Sequence, residues 1–224
     1  MVDDKLQRLR EEVVQGAQEV YSKGLVENGE GNFSVRVNRN EIMCTPTSTN
    51  YMDLTPEKIV HMDLDGNVLD SNAIPSTEVK MHLAIYRDRK KAKCVIHTHS
   101  TYATMLSAVR KNLPVVMEQQ IIFLGGRIKC TEATEAHTEE MGDVAIEALG
   151  KNNGAILANH GTVICGKSAE QAIRFAVILE KMAKVYWGAL QIGEPLEVPE
   201  ENWPEHEKMF NMLFACYPRR LKKK

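Results

Sequence analysis

The chain has 224 residues, 43% of them hydrophobic, which is enough to fill one core, so a single domain over residues 1–224 is expected. With 28 Lys and Arg against 30 Asp and Glu the formal charge is -2, and no global positive field recruits nucleic acid. The five cysteines are scattered without a C-x-x-C pair, no apolar run is long enough to span a bilayer, and the charged start "MVDDKLQRLREE" is unlike a signal peptide. A cytoplasmic protein with reduced thiols, and with neither membrane nor nucleic-acid partner, is therefore expected.

Leu6, Leu9, Val13, Ala17 and Val20 recur at steps of three and four, which predicts an amphipathic helix over residues 4–23 that "ENGEGN" ends. In "FSVRVNRNEIMC", Phe33, Val35 and Val37 alternate with Ser34 and Arg36, and a turn at Asn38–Asn40 makes a hairpin. After the loop "TPTSTN", a short helix is predicted beyond Thr55 with Pro56 at its first position, then a second hairpin around Asp65 and Gly66. A helix from Glu78 to Tyr86 follows, capped by Ser76 or Thr77.

"AKCVIHTH" reads as a strand, "STYATMLSAVR" as a helix opened by Ser100 or Thr101, and "GGRIKC" as a further strand. "TEEMGDVAIEALG" is a helix ended by Gly150, and "GAILANHGTVICG" is two strands around a tight turn. Ser168 starts a long helix, with Gln171 placed as in a capping box, and "HEKMFNMLFACYP" carries a last helix. The tail "RRLKKK" reads as a solvated end. Cys44, Cys94 and Cys165 lie in apolar strand-like runs and read as buried filler. Because several strand pairs are joined by tight turns, the sheet must be at least partly antiparallel, which makes a layered α/β domain.

Residues two apart in a strand share a face, so His97 and His99 in "VIHTHSTYA" point the same way. That suits two ligands of one metal ion, although H-x-H alone also fits a satisfied core pair. A third donor is available in His160, held in a turn between apolar segments where Asn159 and Gly161 supply backbone freedom. Glu78 enters its helix behind two hydroxyl residues. There it either complements the helix dipole or serves a metal site, as a ligand or as the group that moves protons. His61, His82, His137 and His206 have no comparable context and read as surface or core residues, although His82, one turn after Glu78, could orient that carboxylate. The stretches "GEGNFS", "TPTSTN" and "PST" are rich in small donors, and together with a metal they favour a small phosphorylated substrate.

In order, "GNFSVR", "TPTS", "PSTE", "HTH" and "NHG" resemble the class II aldolase family typified by L-fuculose-1-phosphate aldolase, whose relatives include sugar-phosphate epimerases, a methylthioribulose-1-phosphate dehydratase and the non-enzymatic adducin head. The resemblance runs from the first helix through "GKSAEQAI". It implies a three-layer αβα domain with a central, mainly antiparallel sheet, assembled as a homotetramer with active sites at subunit interfaces. It implies a Zn2+ site on His97, His99 and His160, with Glu78 as further ligand and catalytic acid/base, and phosphate-binding loops at Gly31, Asn32, Thr47, Ser48, Ser76 and Thr77. Tyr217 corresponds to a substrate tyrosine of the family. The implied reaction is reversible cleavage of a ketose 1-phosphate to dihydroxyacetone phosphate and an aldehyde.

The three histidines argue against an adducin-like scaffold, whereas the dehydratase branch carries such a set too. The epimerase branch has Asp in place of Glu78 and a further catalytic Asp where this chain has Ile122, so both positions favour aldolase. This chain departs from the type enzyme at two places. Its loop reads "GEGN" rather than "GTAGN", which sets Glu30 beside the expected phosphate site, where its charge repels the ligand unless it points away. Glu118 stands where the type enzyme has a tyrosine that reaches the substrate.

Overall fold

The computed structural model describes residues 4–217, and the "RRLKKK" tail lies outside them. Helix α1 (Asp4–Ser22) comes first, then hairpins β1 (Asn32–Arg36) with β2 (Glu41–Cys44) and β3 (Val60–Asp63) with β4 (Val68–Asp70). Between the hairpins the Pro56 helix is a single 3-10 turn, Pro56–Lys58, with Thr55 at its N-cap. There follow α2 (Val79–Asp88), β5 (Cys94–Thr98), α3 (Thr101–Ala108), α4 (Glu118–Leu124) and α5 (Glu139–Leu149). The chain closes with β6 (Gly154–Leu157), β7 (Gly161–Gly166), α6 (Ala169–Ile192) and α7 (Trp203–Leu213).

Among the described residues, seven strands form one sheet in the order β4-β3-β2-β1-β5-β7-β6, and every neighbouring pair is antiparallel. Alternation along the strands splits the core. Phe33, Val35, Cys94, Ile96 and Ile164 face α1 and α6, whereas Ile42, Val95, Ala155, Val163 and Cys165 face α2 and α5. The expected three-layer αβα domain is the architecture found. α1 lies close on β1 because Gly16 leaves room for the Phe33 ring, whose Cζ stands 2.3 Å from where a Cβ would be.

Three local expectations need correction. "GGRIKC" is not a strand: it passes from a bridge with Leu113 at Ile128 to a bridge with Ile156 at Cys130, so it never pairs along one partner. Its backbone instead covers the exposed edge of β6, through Thr131 N to Ile156 O and Ile156 N to Lys129 O, both 2.9 Å. Helix α4 has no counterpart in the sequence reading, because its short "IIFL" run is apolar without a period. At α2 the cap position belongs to Glu78 itself, and the Ser76 hydroxyl accepts the Glu78 N–H at 3.3 Å. At α3 Ser100 occupies the cap as expected, without a side-chain bond, and the Glu180 carboxylate of α6 accepts from Tyr102 N and Ala103 N, each at 2.9 Å.

Ser168 and Gly150 take the expected end positions of α6 and α5, and Thr138 caps the start of α5, where the sequence pattern named no cap. Ser168 accepts from Gln171 N at 3.2 Å, Thr138 accepts from Met141 N at 3.3 Å, and Gly150 ends α5 at φ 48. All five cysteines are free thiols, with Cys44, Cys94 and Cys165 buried as the apolar runs predict. Among the described residues no helix is long and apolar enough to cross a membrane.

Candidate metal centre

His97 stands in the middle of the sheet, paired with Asn32 of β1 on one side and Val163 of β7 on the other. It is fully buried, and its Nδ1 donates to Thr162 O at 2.8 Å, which fixes the tautomer and leaves Nε2 bare. His99 lies one residue past the end of β5, on the same side as His97, and its Nε2 is 2.8 Å from His97 Nε2. His160 comes from the β6–β7 turn, where Asn159 adopts φ 55, and α3 pins that turn through Ser107 Oγ, which accepts the His160 N–H at 2.8 Å. Gly161 is required there, since a Cβ would lie 2.3 Å from Thr98 O and 3.2 Å from both the His97 and His99 rings.

The N-cap position brings Glu78 against this group from the α2 side. Its Oε2 is 3.2 Å from His97 Nε2 and its Oε1 is 2.7 Å from His160 Nε2, while Asn32 Nδ2 donates to Oε2 at 3.0 Å. The Oε1 contact lacks the alignment of a hydrogen bond, which is what two donors aimed at one cation look like. One ligand atom from each of Glu78, His97, His99 and His160 lies within 4.8 Å of the others. Donors about 2.0–2.2 Å from a tetrahedral ion stand about 3.4 Å apart, so the donor set fits a divalent metal with little rearrangement.

The electrostatics agree. Burial would raise the Glu78 carboxyl, but the His160 and His97 imidazoles against it outweigh this and hold it well below the usual carboxylate range. His99 is brought down to about 4 by burial and by the neighbouring His97 and His160, with Glu78 opposing. At neutral pH the site thus offers a carboxylate and a neutral imidazole, the forms a metal takes.

Three small-residue loops meet beside Glu78. The "TPTS" and "PST" loops are joined by a Pro46–Pro75 bridge, with Thr47 N donating to Ile74 O at 3.0 Å and Ser76 N to Thr45 O at 3.3 Å. The glycine loop passes close by, since a Cβ on Gly29 would stand 3.1 Å from Thr49 O and one on Gly31 2.6 Å from His97 O. Thr47 and Ser48 carry their hydroxyls 3.4 Å apart, and Ser48 and Thr77 are exposed.

Several other positions singled out in the sequence lie outside the four-residue cluster. The Tyr217 hydroxyl donates to Asn211 Oδ1 and its ring lies on Phe210, so its contacts are with α7 rather than with the histidines. Glu118 opens α4 and lies 3.6 Å from His206, and Ile122 is half-buried on the same helix. His82 does not orient Glu78: its Nδ1 meets Ser34 Oγ at 2.7 Å, and Ser34 in turn meets the Tyr86 hydroxyl at 3.0 Å. Glu30 points at His99, its Oε2 2.9 Å from Nδ1, which directs its charge to the imidazole. Nothing local ties residue 30 to residue 99, so in the sequence Glu30 shows only as a charge beside the expected phosphate loop.

The family described as "Class II Aldolase and Adducin N-terminal domain" matches residues 11–187. This chain belongs to that family. Among its relatives is the 5-deoxy-D-ribulose 1-phosphate aldolase of Bacillus thuringiensis serovar kurstaki, 32% identical over 92% of this chain and 96% of that one. The 3-oxo-tetronate 4-phosphate decarboxylase of Escherichia coli is 30% identical over 80% of this chain and 86% of its own length. A solved L-fuculose 1-phosphate aldolase superposes with TM-score 0.87 at 29% identity, covering 91% of this chain and 96% of that one. The protein is thus a class II aldolase, of a family dependent on a divalent metal, and its Glu78–His97–His99–His160 cluster has the ligand types and spacing that could hold such an ion.

Proposed function

We propose that this class II aldolase reversibly cleaves a ketose 1-phosphate to dihydroxyacetone phosphate and an aldehyde, using a divalent metal, Zn2+ by expectation, held by His97, His99, His160 and Glu78. The observation that carries the reading is the convergence of these four ligand atoms within 4.8 Å of one another. The small-residue loops beside them support a phosphorylated substrate.

When bound, the metal supplies Lewis acidity toward the hydroxyl and carbonyl oxygens of the sugar phosphate. The protein's own residues do the rest. Gly31, Asn32, Thr47, Ser48, Ser76 and Thr77 bind and orient the phosphate end through N–H groups and hydroxyls. In cleavage, the bond between the α and β carbons of the ketose breaks, and the β-hydroxyl gives its proton to the Glu78 carboxylate as that carbon becomes the aldehyde. The electron pair passes to the enediolate of the three-carbon phosphate fragment, and Glu78 returns a proton to its α carbon. Asn32, bonded to Glu78 Oε2 at 3.0 Å, holds the carboxylate for that transfer. Tyr217, whose hydroxyl meets Asn211 of its own chain, is the candidate for the aldehyde end of a site at a subunit interface.

The likeness to a 5-deoxy-D-ribulose 1-phosphate aldolase makes that ketose the first to test, followed by L-fuculose, L-rhamnulose and L-ribulose 1-phosphates. Release of dihydroxyacetone phosphate that a chelator abolishes is the expected result. No release from any of them by metal-loaded protein would transfer the reading to the epimerase or dehydratase branch. A homotetramer with sites at subunit interfaces is part of the proposal, supported by apolar surface at Val185, Trp187 and Leu190 of α6, and sedimentation checks it.

A further inference from the structure

We infer that Glu30 is a positioning residue for the metal centre: its carboxylate holds His99 from behind and sets how tightly the site binds its metal. This rests on the metal-centre reading above and adds a residue outside the ligand set.

The His99 ring is engaged on both sides. Its Nε2 lies 2.8 Å from His97 Nε2, inside the cluster, and its Nδ1 lies 2.9 Å from Glu30 Oε2. His97 is held at the corresponding nitrogen by a neutral acceptor, Thr162 O, at 2.8 Å. A carboxylate is the stronger partner: it fixes Nδ1 as the protonated nitrogen, makes Nε2 more basic, and puts a second negative charge near the cation.

Glu30 is placed by its loop. Gly29 and Gly31 flank it at φ +83 and +67, conformations that side-chain-bearing residues rarely adopt. Gly31 lets the loop run against β5, because a Cβ there would stand 2.6 Å from His97 O and 2.6 Å from Val26 Cγ1. On the other side Glu30 N donates to Glu27 O at 2.8 Å and His99 N to Leu25 O at 3.2 Å, so both partners are anchored to one short stretch of backbone. As a plain ion pair it would do little for the fold, since the side chains are 28% and 39% exposed. Its effect therefore falls on the ligand.

The test compares metal-free wild type, Glu30→Gln and Glu30→Ala, titrated with zinc and with cobalt against a chromophoric chelator, with the cobalt visible spectrum and the metal-free thermal midpoint recorded in parallel. Glu30→Ala is expected to weaken metal binding by about 10- to 100-fold with an unchanged metal-free midpoint. Glu30→Gln, which keeps an acceptor but loses the charge, is expected between Ala and wild type, with a shifted cobalt band. Affinities of both variants within about twofold of wild type would overturn the inference. So would a fall in the metal-free midpoint that parallels the loss of affinity, since it would make Glu30 a brace for the loop. Wild type that binds neither metal would instead overturn the metal-centre reading itself.

Discussion

Glu78 Oε1 lies 2.7 Å from His160 Nε2, although one side chain enters from the cap of α2 and the other from the β6–β7 turn. The contact closes the cluster opposite His99 and gives one carboxylate two possible tasks, as ligand and as proton carrier. Substitution separates them. His97→Ala is expected to lose bound metal and activity together, whereas Glu78→Gln, with the three imidazoles intact, is expected to keep metal and lose turnover by about 100- to 10,000-fold. Metal analysis beside steady-state kinetics reads both. Full metal occupancy in His97→Ala would sink the site.

Gly161→Ala is expected to damage fold and site at once. The new methyl would meet Thr98 O at 2.3 Å, a backbone atom that cannot turn aside, and would press on the rings of His97 and His99. A loss of about 1–3 kcal/mol in denaturant unfolding is expected, with weakened metal binding. Stability equal to wild type would mean that β5 and β7 separate more freely than their pairing implies.

Phosphate binding is expected to show as a KM effect. Thr47→Ala removes a half-buried hydroxyl from the loop bridged to Pro75 and leaves the metal ligands untouched. KM for the sugar phosphate should rise about tenfold, the size of one lost hydrogen bond to a charged group, with metal content unchanged. A fall in kcat at constant KM would count against a phosphate role.

His82 makes acid stability a test of the buried polar network. Burial first, then the charge of His97, brings it from 6.5 to about 3, with Glu78 opposing. Between those values the unfolded chain binds a proton at this group that the folded chain does not. Stability therefore falls as pH drops through that window, by about 1.4 kcal/mol per pH unit for each such group, and His99 adds to it. In metal-free protein, His82→Gln should be less stable near neutrality yet flatten the decline between about pH 6 and pH 4, measured by urea midpoints. An unchanged slope would show that His82 takes up its proton while folded.

Arg89 is wholly buried, and its guanidinium donates to Asn152 O at 2.7 Å and Gly150 O at 2.8 Å, closing the end of α5. Arg89→Met should cost about 3 kcal/mol through the carbonyls left without donors, and chemical denaturation reads it directly. A change near zero would mean that water reaches these carbonyls.

Local pattern carried much of this protein. The alternation of Phe33 and Val35 with Ser34, the turn residues around Asp65 and Asn159, the cap at Ser168 and the stop at Gly150 each act over a few residues, so they are legible in the chain alone. The pairing of His97 with His99 belongs with them, because strand geometry puts both on one side. Where a segment has no period of its own, the pattern was silent or misleading: α4 and the "GGRIKC" crossing take their shape from neighbours far away in sequence. The same limit applies inside the site. Asn32 bonds Glu78 because the register of β1 on β5 sets it beside His97, His82 turns to Ser34 rather than Glu78 because the strand offers it a hydroxyl, and Glu30 faces His99 because two glycines let its loop lie on β5. Residue type and short spacing are enough to name ligands, since coordination chemistry is selective. Which groups stand behind those ligands depends on strand register and loop approach, which are set only when the whole sheet packs.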